Sequence, residues 1–171
     1  MLPAVGANIT TSGAQTYSGA MTVSANSTLS GSGMSLAAVD LVGNTLTVNE
    51  SGVGAISGVV SGTGALTKTG AGTLTLFNTN TFAGGVTVNA GILKISKDSN
   101  LGAEPVVSAD ALTLNGGTLQ VTADTTLAST RGTLMGSSGG TFLIDPSVTL
   151  NYAGAIMGTG RLTKLEVGTL V

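Results

Sequence analysis

The sequence predicts an all-β solenoid of roughly seven coils, formed as one domain by residues 1–171. Three observations support this fold class. Apolar and small polar residues alternate at period two, clusters of Gly, Asn and Thr interrupt the alternation, and short strand–turn–strand units recur along the chain. No segment has apolar residues at helical spacing. A β-sandwich would also contain short alternating strands, but its strands need not resemble one another, so the repeats favour the solenoid.

The strongest alternation lies in the stretch from Gly62 to Ile95, GTGALTKTGAGTLTLFNTNTFAGGVTVNAGILKI. In its strands every second residue is aliphatic, which is typical of a strand with one buried face. Aromatic residues make up only 3% of the chain, so aliphatic side chains have to fill a narrow interior. We expect the buried repeat positions of this stretch to be Leu74, Leu76, Val86, Val88, Leu93 and Ile95.

Three strand–turn–strand units align without gaps, and their similarity is the main argument for stacked coils. Residues 86–95 read VTVNAGILKI, residues 112–121 read LTLNGGTLQV and residues 39–48 read VDLVGNTLTV. We expect all three units to lie directly over one another, each pairing its backbone with its neighbour. The repeat positions of the second unit are Leu112, Leu114, Leu119 and Val121.

Longer matches connect other parts of the chain. Residues 56–68 are similar to residues 152–164, and residues 9–23 are similar to residues 74–88. Together with the shorter units, these copies indicate coils of roughly 18–30 residues, which is the size of one solenoid repeat.

Asparagines recur where the strands of these units meet their turns. Asn89 and Asn115 occupy the same place in the two most similar units, and Asn49 follows the third. In stacked coils their side-chain amides would hydrogen-bond along the rod as a ladder. The alternative is that each asparagine is an ordinary turn-forming residue.

Composition excludes several classes of function. Charged residues are 8% of the chain and the net charge is −2, so the basic surface that nucleic acid requires is missing. Without histidine, Ser-His-Asp catalysis is impossible, and without cysteine there are neither disulfides nor thiolate metal sites. No apolar run is long enough for a membrane-spanning helix, and the first residues lack a signal-peptide pattern. We expect no cofactor and no bound metal.

The densest group of acidic residues is Asp98, Glu104 and Asp110, in the segment KDSNLGAEPVVSAD that interrupts the regular units. Glycosidases on β-helical scaffolds need clustered carboxylates, so a carbohydrate-active site is one interpretation. A polar loop in contact with solvent is the interpretation we favour. Arg131 lies in a second irregular stretch, and we expect it to face this loop.

Tyr17 and Phe82 occupy the same place in the two similar segments 9–23 and 74–88. We favour core filling as the role of both rings. The alternative is a sugar-binding platform, and with Asp98, Glu104 and Asp110 the two rings complete the candidate binding face of the sequence.

Residues 66–95, LTKTGAGTLTLFNTNTFAGGVTVNAGILKI, resemble the passenger-associated repeat of bacterial autotransporter proteins. Residues 158–170, GTGRLTKLEVGTL, resemble the first half of that repeat, with Leu165, Glu166 and Val167 where the pattern has a glycine-containing turn. The resemblance implies a right-handed parallel β-helix that is exported to the bacterial cell surface or released from it. It also implies use as a stalk or an adhesin.

The function that these observations predict is a non-enzymatic extracellular rod, secreted or on the cell surface. Leu170 and Ile9 both align with Leu74, so the pattern stops about where it begins. This favours either a segment of a longer passenger or a subunit that joins head to tail into a fibre. We expect end-to-end self-association, with host-surface glycans or proteins as further candidate partners. A carbohydrate-active or carbohydrate-binding domain is the alternative.

Overall fold

The computed structural model describes residues 4–106 and 108–171, and within these ranges the chain forms 23 short strands and one 3₁₀ turn, Asp98–Leu101. In chain order the strands are β1 (Ala4–Val5), β2 (Ile9–Thr10), β3 (Thr16–Tyr17), β4 (Met21–Val23), β5 (Ser27–Gly31), β6 (Ser35–Leu36), β7 (Val39–Asp40), β8 (Leu46–Glu50), β9 (Val53–Ile56), β10 (Val60–Ser61), β11 (Leu66–Thr69), β12 (Thr73–Leu76), β13 (Val86–Val88), β14 (Ile92–Ile95), β15 (Ser108–Leu114), β16 (Thr118–Val121), β17 (Thr125–Leu127), β18 (Arg131–Met135), β19 (Gly140–Ile144), β20 (Thr149–Tyr152), β21 (Ile156–Gly158), β22 (Leu162–Leu165) and β23 (Thr169–Leu170).

The strands form four sheets, and every strand pair among the described residues is parallel. The first sheet has the order β1-β4-β7-β10, and the fourth, β17-β20-β23, takes its place later in the chain. The second sheet has the order β2-β5-β8-β11-β13-β15-β18-β21, and the third β3-β6-β9-β12-β14-β16-β19-β22. Each coil contributes one strand to each of the two long sheets, so the predicted solenoid is confirmed. The eight strands in each of these sheets correspond to eight coils instead of the predicted seven or so.

The inward positions of successive coils lie in register and form a continuous aliphatic core. In the second sheet, Leu46 pairs with Leu66, and Leu66 pairs with Val86. In the third sheet, Leu74 pairs with Leu93, and Leu93 pairs with Leu119. All ten predicted aliphatic repeat positions are buried, which confirms the period-two pattern.

Two of the three ungapped units stack as predicted. Residues 112–121 lie on residues 86–95, with Leu112 opposite Val86 and Val121 opposite Ile95. The prediction is wrong for residues 39–48. Val39 pairs in the first sheet, and Val48 pairs in the second sheet, opposite Lys68.

The longer similar segments also place their matching strands in different sheets. Strand β11 of the segment 56–68 lies in the second sheet, but strand β22, which contains the matching residues Leu162–Lys164, lies in the third. The physical reason is that every face of the coil imposes the same inward–outward alternation. Similar sequences therefore fit more than one face, and similarity does not determine which face a unit occupies.

In the two long sheets, paired residues of adjacent coils are 19 to 23 positions apart except at one place, where they are 26 apart. Val48, Lys68 and Val88 follow one another in the second sheet at intervals of about 20 residues. Leu114, the next residue in that register, follows Val88 only after about 26 residues.

The extra residues of this longer coil lie between Ala103 and Leu112, because Ala103 still donates its N–H to Phe82 of the preceding coil, and the 3₁₀ turn Asp98–Leu101 before it keeps the usual spacing. In the described part of the chain, no helix has the length and hydropathy that crossing a bilayer requires.

The turns of adjacent coils lie in close backbone contact, and this contact gives a testable steric prediction. A Cβ atom at Gly72 would lie 2.2 Å from the carbonyl oxygen of Gly52 in the preceding coil, whereas at Gly13 nothing lies within 4 Å. We expect Gly72→Ala to lower the free energy of unfolding by about 1–3 kcal/mol, because backbone would have to move. Gly13→Ala is the matched control and is expected to change it by less than about 1 kcal/mol. Equal urea midpoints for both variants would contradict the predicted contact.

Candidate functional site

Two charged side chains without exposed surface lie in consecutive coils, where the second sheet turns toward the third. Glu50 ends β8 and Lys68 lies in β11, and both are 0% exposed. Lys68 occupies an otherwise aliphatic column, between Val48 and Val88. Buried charges are costly unless hydrogen bonds compensate them, so the partners of both groups decide their role.

The Glu50 carboxylate accepts three backbone hydrogen bonds. Its Oε1 accepts from the N–H groups of Gly33 and Gly52, each at 2.7 Å, and its Oε2 accepts from the N–H of Met34 at 2.7 Å. A Cβ at Gly54 would lie 2.2 Å from Oε2, so the neighbouring strand leaves space only for glycine. The carboxylate therefore joins the turns of two coils.

Lys68 donates hydrogen bonds to carbonyl groups of the turn that follows it and of the corresponding turn in the following coil. Its Nζ donates to the carbonyl oxygens of Thr69 and of Gly70, the latter at 2.7 Å, and to Ala90 in the following coil at 3.3 Å. Burial lowers the pKa of Lys68 to about 8, and the charge of Glu50 partly opposes this decrease. Glu50 and Lys68 thus satisfy opposite backbone groups along one corner of the solenoid.

The lowered pKa of Lys68 predicts a pH dependence of stability. The unfolded chain holds this proton more tightly than the folded chain, so between pH 8 and the ordinary value of 10.5 the contribution of Lys68 to stability rises with pH. We expect the free energy of unfolding to increase by on the order of 1–2 kcal/mol between about pH 7 and pH 9.5 relative to Lys68→Met. Urea titrations at each pH measure the difference.

The exposed Lys164→Met is the matched control for this titration. Its pH profile is expected to follow that of the unchanged chain. If the profile of Lys68→Met did so as well, Lys68 would not be responsible for the slope. Tyr17 and Tyr152 do not interfere in this range, because burial raises the pKa of both phenols above 10.0.

Arg131 faces the segment KDSNLGAEPVVSAD, as the sequence predicted. Its Nε donates to Oδ1 of Asp98 at 2.8 Å, and its Nη2 donates to Oδ2 at 3.2 Å. The guanidinium also donates to the carbonyl oxygens of Leu101, Gly102 and Ala103, at 3.2, 3.2 and 3.3 Å. Arg131 is 1% exposed, so this ion pair holds that segment against the next coil from inside the protein.

The other two acidic candidates contact different groups. Glu104 Oε1 accepts from the hydroxyl of Thr130 at 3.0 Å, and Asp110 Oδ1 accepts from the hydroxyl of Ser108 at 2.8 Å. Within the described ranges, no group of three or more acidic side chains is arranged to hold a metal ion. The carboxylates of this segment are engaged separately, Asp98 in the ion pair and the other two with neighbouring hydroxyls.

The two aromatic candidates differ in position. Phe82 is 1% exposed and belongs to the core, which confirms core filling and makes the platform interpretation wrong for this ring. Tyr17 is half-buried, packs against the core, and its hydroxyl donates to Gln15 at 2.9 Å. The exposed aromatic ring is Phe77, with 51% of its surface accessible. The sequence signal for this position is the period-two alternation: Leu74 and Leu76 point inward, so Phe77, the residue after Leu76, points outward.

Two buried asparagines, Asn80 and Asn100, connect adjacent coils at positions other than the predicted ones, through hydrogen bonds between side-chain amides and backbone groups. Nδ2 of Asn80 donates to the carbonyl oxygen of Asn100 in the next coil at 2.7 Å, and Oδ1 of Asn80 accepts from Val60 at 2.9 Å. This places the amides where the strands of the first sheet end, after β10. The predicted pair is not among the hydrogen bonds of the described residues: Asn89 is exposed, and Asn115 accepts from Ser138.

A surface cavity of about 210 Å³ lies on the outer face of the third sheet, and we call it the Phe77 depression. Phe77, Lys94, Ser96 and Thr122 line it, on three consecutive coils. Lys94 is half-buried and Ser96 is exposed, so the depression has a basic side and an open floor beside the exposed ring.

The fold and the buried polar contacts together define the class of this protein. It is a parallel β-solenoid whose buried charged side chains are hydrogen-bonded to backbone groups of its own turns. Residues 66–95 match the family model of the passenger-associated-transport-repeat, so this part of the chain carries that repeat. This confirms the resemblance seen in the sequence. The repeat, together with the similarity of the chain to an autotransporter protein, indicates a bacterial protein that is secreted or located at the cell surface.

A curated relative supports the same assignment. The chain is 41% identical over 140 residues to a protein described as "Adhesin BmaC autotransporter", from Brucella suis biovar 1 (strain 1330). The match covers 78% of this chain and 4% of the relative, so the chain spans only a small part of that protein. No solved structure gives a significant match.

Proposed function

We propose that this chain is a non-enzymatic structural and adhesive rod, a stalk-like segment of a passenger at the bacterial surface. The observation that carries the proposal is the uninterrupted stacking of eight parallel coils. Glu50, Lys68 and Arg131 are buried and hydrogen-bonded to backbone, which is the use of charge expected in a scaffold. The description of the relative as an adhesin supports the adhesive part.

Adhesion is tested with beads that carry the folded chain. We expect such beads to bind cultured animal cells several-fold more than beads that carry the same chain after thermal unfolding. Because both preparations have identical composition and charge, the difference measures the folded surface. Equal binding of both preparations would overturn the adhesive proposal. The scaffold role is tested separately, by the resistance of the chain to unfolding.

We also propose that the rod associates end to end with a second copy. The observation that favours this is a group of exposed apolar side chains in the last coils: Ile156, Met157, Leu165, Val167 and Val171. Strands β21, β22 and β23 are edge strands of their sheets, and unpaired edges together with apolar surface promote strand pairing.

Sedimentation and electron microscopy test the association. We expect filaments with an axial repeat near eight coils, or about 38 Å per subunit. Leu165→Glu is expected to shorten or abolish them, because it places a charge on the paired edge. Val53→Glu, at an exposed valine outside the last coils, is the matched control. A strictly monomeric particle at high concentration would overturn self-association, and would favour a further coil of a longer polypeptide as the cover of this edge.

The carbohydrate-active alternative has little support from the geometry of the described residues. Asp98 is paired with Arg131, and Glu104 and Asp110 accept hydrogen bonds from separate hydroxyls. A glycosidase instead needs two free carboxylates facing one bond of the substrate.

A further inference from the structure

The Phe77 depression combines an apolar wall with hydroxyl groups. Phe77 follows β12 and is 51% exposed, an unusual position for an aromatic side chain in a chain with 3% aromatic residues. Ser96 and Thr122 follow β14 and β16 in the next two coils, so they lie beside the ring along the rod axis. The depression therefore presents a flat apolar surface next to hydrogen-bonding groups.

Positive charge is concentrated at the same place. The whole chain has six cationic side chains, and Lys68 and Arg131 are buried and bound to backbone groups. Lys94 lines the depression, and Lys97 lies one residue beyond Ser96, where its Nζ donates to the hydroxyl of Thr79 at 3.0 Å.

No carboxylate among the described residues forms an ion pair with Lys94 or Lys97. The ion pair found within residues 4–106 and 108–171 is that of Asp98 with Arg131, so Asp98 is not available to either lysine. Asp145 lies one coil beyond Thr122 and accepts a hydrogen bond from Gln120 at 2.7 Å, a neutral donor that adds no compensating charge. The depression is therefore basic on the side of Lys94 and adjoins a carboxylate beyond Thr122.

We propose that the Phe77 depression binds an acidic saccharide, with one sugar ring against Phe77 and its anionic group at Lys94. A pyranose ring has an apolar face that packs on an aromatic ring. Its hydroxyls can donate to the hydroxyl oxygens of Ser96 and Thr122, which themselves donate to Asn100 and to the carbonyl of Ile95. The carboxylate or sulfate of such a ring forms charge-assisted hydrogen bonds with an ammonium group. A cavity of about 210 Å³ accommodates one ring. This inference rests on the proposed adhesive function and names its ligand class.

Amide chemical shifts of the 171-residue chain measure the binding site directly. Sialyllactose serves as the carboxylate probe, a heparin tetrasaccharide as the sulfate probe and lactose as the neutral probe. We expect one or both acidic probes to shift the amides of Phe77, Ser96 and Thr122, with a millimolar dissociation constant at low salt. Preference for one acidic probe distinguishes carboxylate from sulfate. Binding is expected to weaken as salt is raised.

Variants test the two contacts separately. Phe77→Ala is expected to weaken binding about fivefold, and Lys94→Gln about tenfold, while Lys94→Arg keeps binding within about twofold. Phe77 is exposed and Lys94 is half-buried on the outer face, so we expect all three variants to retain the fold. Lys164→Gln, at an exposed lysine outside the depression, is the matched control and is expected to bind as the unchanged chain does.

The inference is overturned if no probe shifts these amides, if lactose binds as well as the acidic probes, or if Lys164→Gln weakens binding as much as Lys94→Gln. Its failure is distinguishable from that of the adhesive function. Beads that still adhere while no probe binds would contradict the site alone. Site-specific probe binding without adhesion of the beads would contradict the adhesive function alone.

Discussion

Replacing Glu50 by alanine is expected to lower the free energy of unfolding by about 3–5 kcal/mol, one of the two largest effects that we predict for a single substitution. The substitution removes both acceptor oxygens from the N–H groups of Gly33, Met34 and Gly52. Glu50 and Met34 are buried and Gly33 and Gly52 are half-buried, so water compensates the freed N–H groups only in part. Urea-induced unfolding followed by circular dichroism measures the change.

Two further variants separate burial from the simple loss of a carboxylate. Asp124 is exposed and accepts one backbone N–H, from Thr149, at 2.7 Å. Asp124→Ala is therefore expected to cost only about 1 kcal/mol. Glu50→Gln keeps the shape and one acceptor oxygen, so its cost should fall between the two. The interpretation fails if Glu50→Ala and Asp124→Ala destabilise the chain equally.

The second large effect concerns Arg131. Arg131→Met is expected to lower the free energy of unfolding by about 3–5 kcal/mol, because it leaves the carboxylate of Asp98 without its cation. It also leaves the carbonyl groups of Leu101, Gly102 and Ala103 without the guanidinium donors. Hydrogen exchange should show faster opening of residues 98–103 than of the regular coils.

A double-mutant cycle gives the coupling in this pair. Asp98→Leu combined with Arg131→Met removes both charges, and we expect it to recover roughly 1–3 kcal/mol of the loss caused by Arg131→Met alone. Arg161→Met, at an exposed arginine, is the control and is expected to change stability by less than about 0.5 kcal/mol. Additive effects in the cycle would mean that Asp98 and Arg131 do not stabilise each other.

Much of the fold was predictable because alternation is a local property. The inward positions of β12, β13, β14 and β16 follow from counting every second residue, and the structure buries all of them. The stacking of residues 112–121 on 86–95 was predictable for the same reason, since adjacent coils with equal turns keep equal register. The same count also points Phe77 outward and Lys68 inward, although a lysine is ordinarily expected at the surface.

The candidate site was less predictable, because it depends on which coil lies beside which. Asp98 and Arg131 are 33 residues apart, and only the approach of the Arg131 coil to the coil of Asp98 brings them together. Predicting the hydrogen bonds of Asn80 and Asn100 would have required knowing that backbone pairing of the first sheet ends after β10. Without that information Asn80 and Asn100 look like ordinary turn residues.

The sequence by itself determined that this protein is a parallel stack of short strands around a thin aliphatic core, and that it carries an autotransporter passenger repeat. The tertiary structure alone decided which face each unit occupies, and where Glu50, Lys68 and Arg131 find their partners. The physical reason is the distance along the chain over which each interaction acts. Side-chain alternation is dictated residue by residue, but each buried charge also needs partners from another coil, 16 to 33 residues away along the chain.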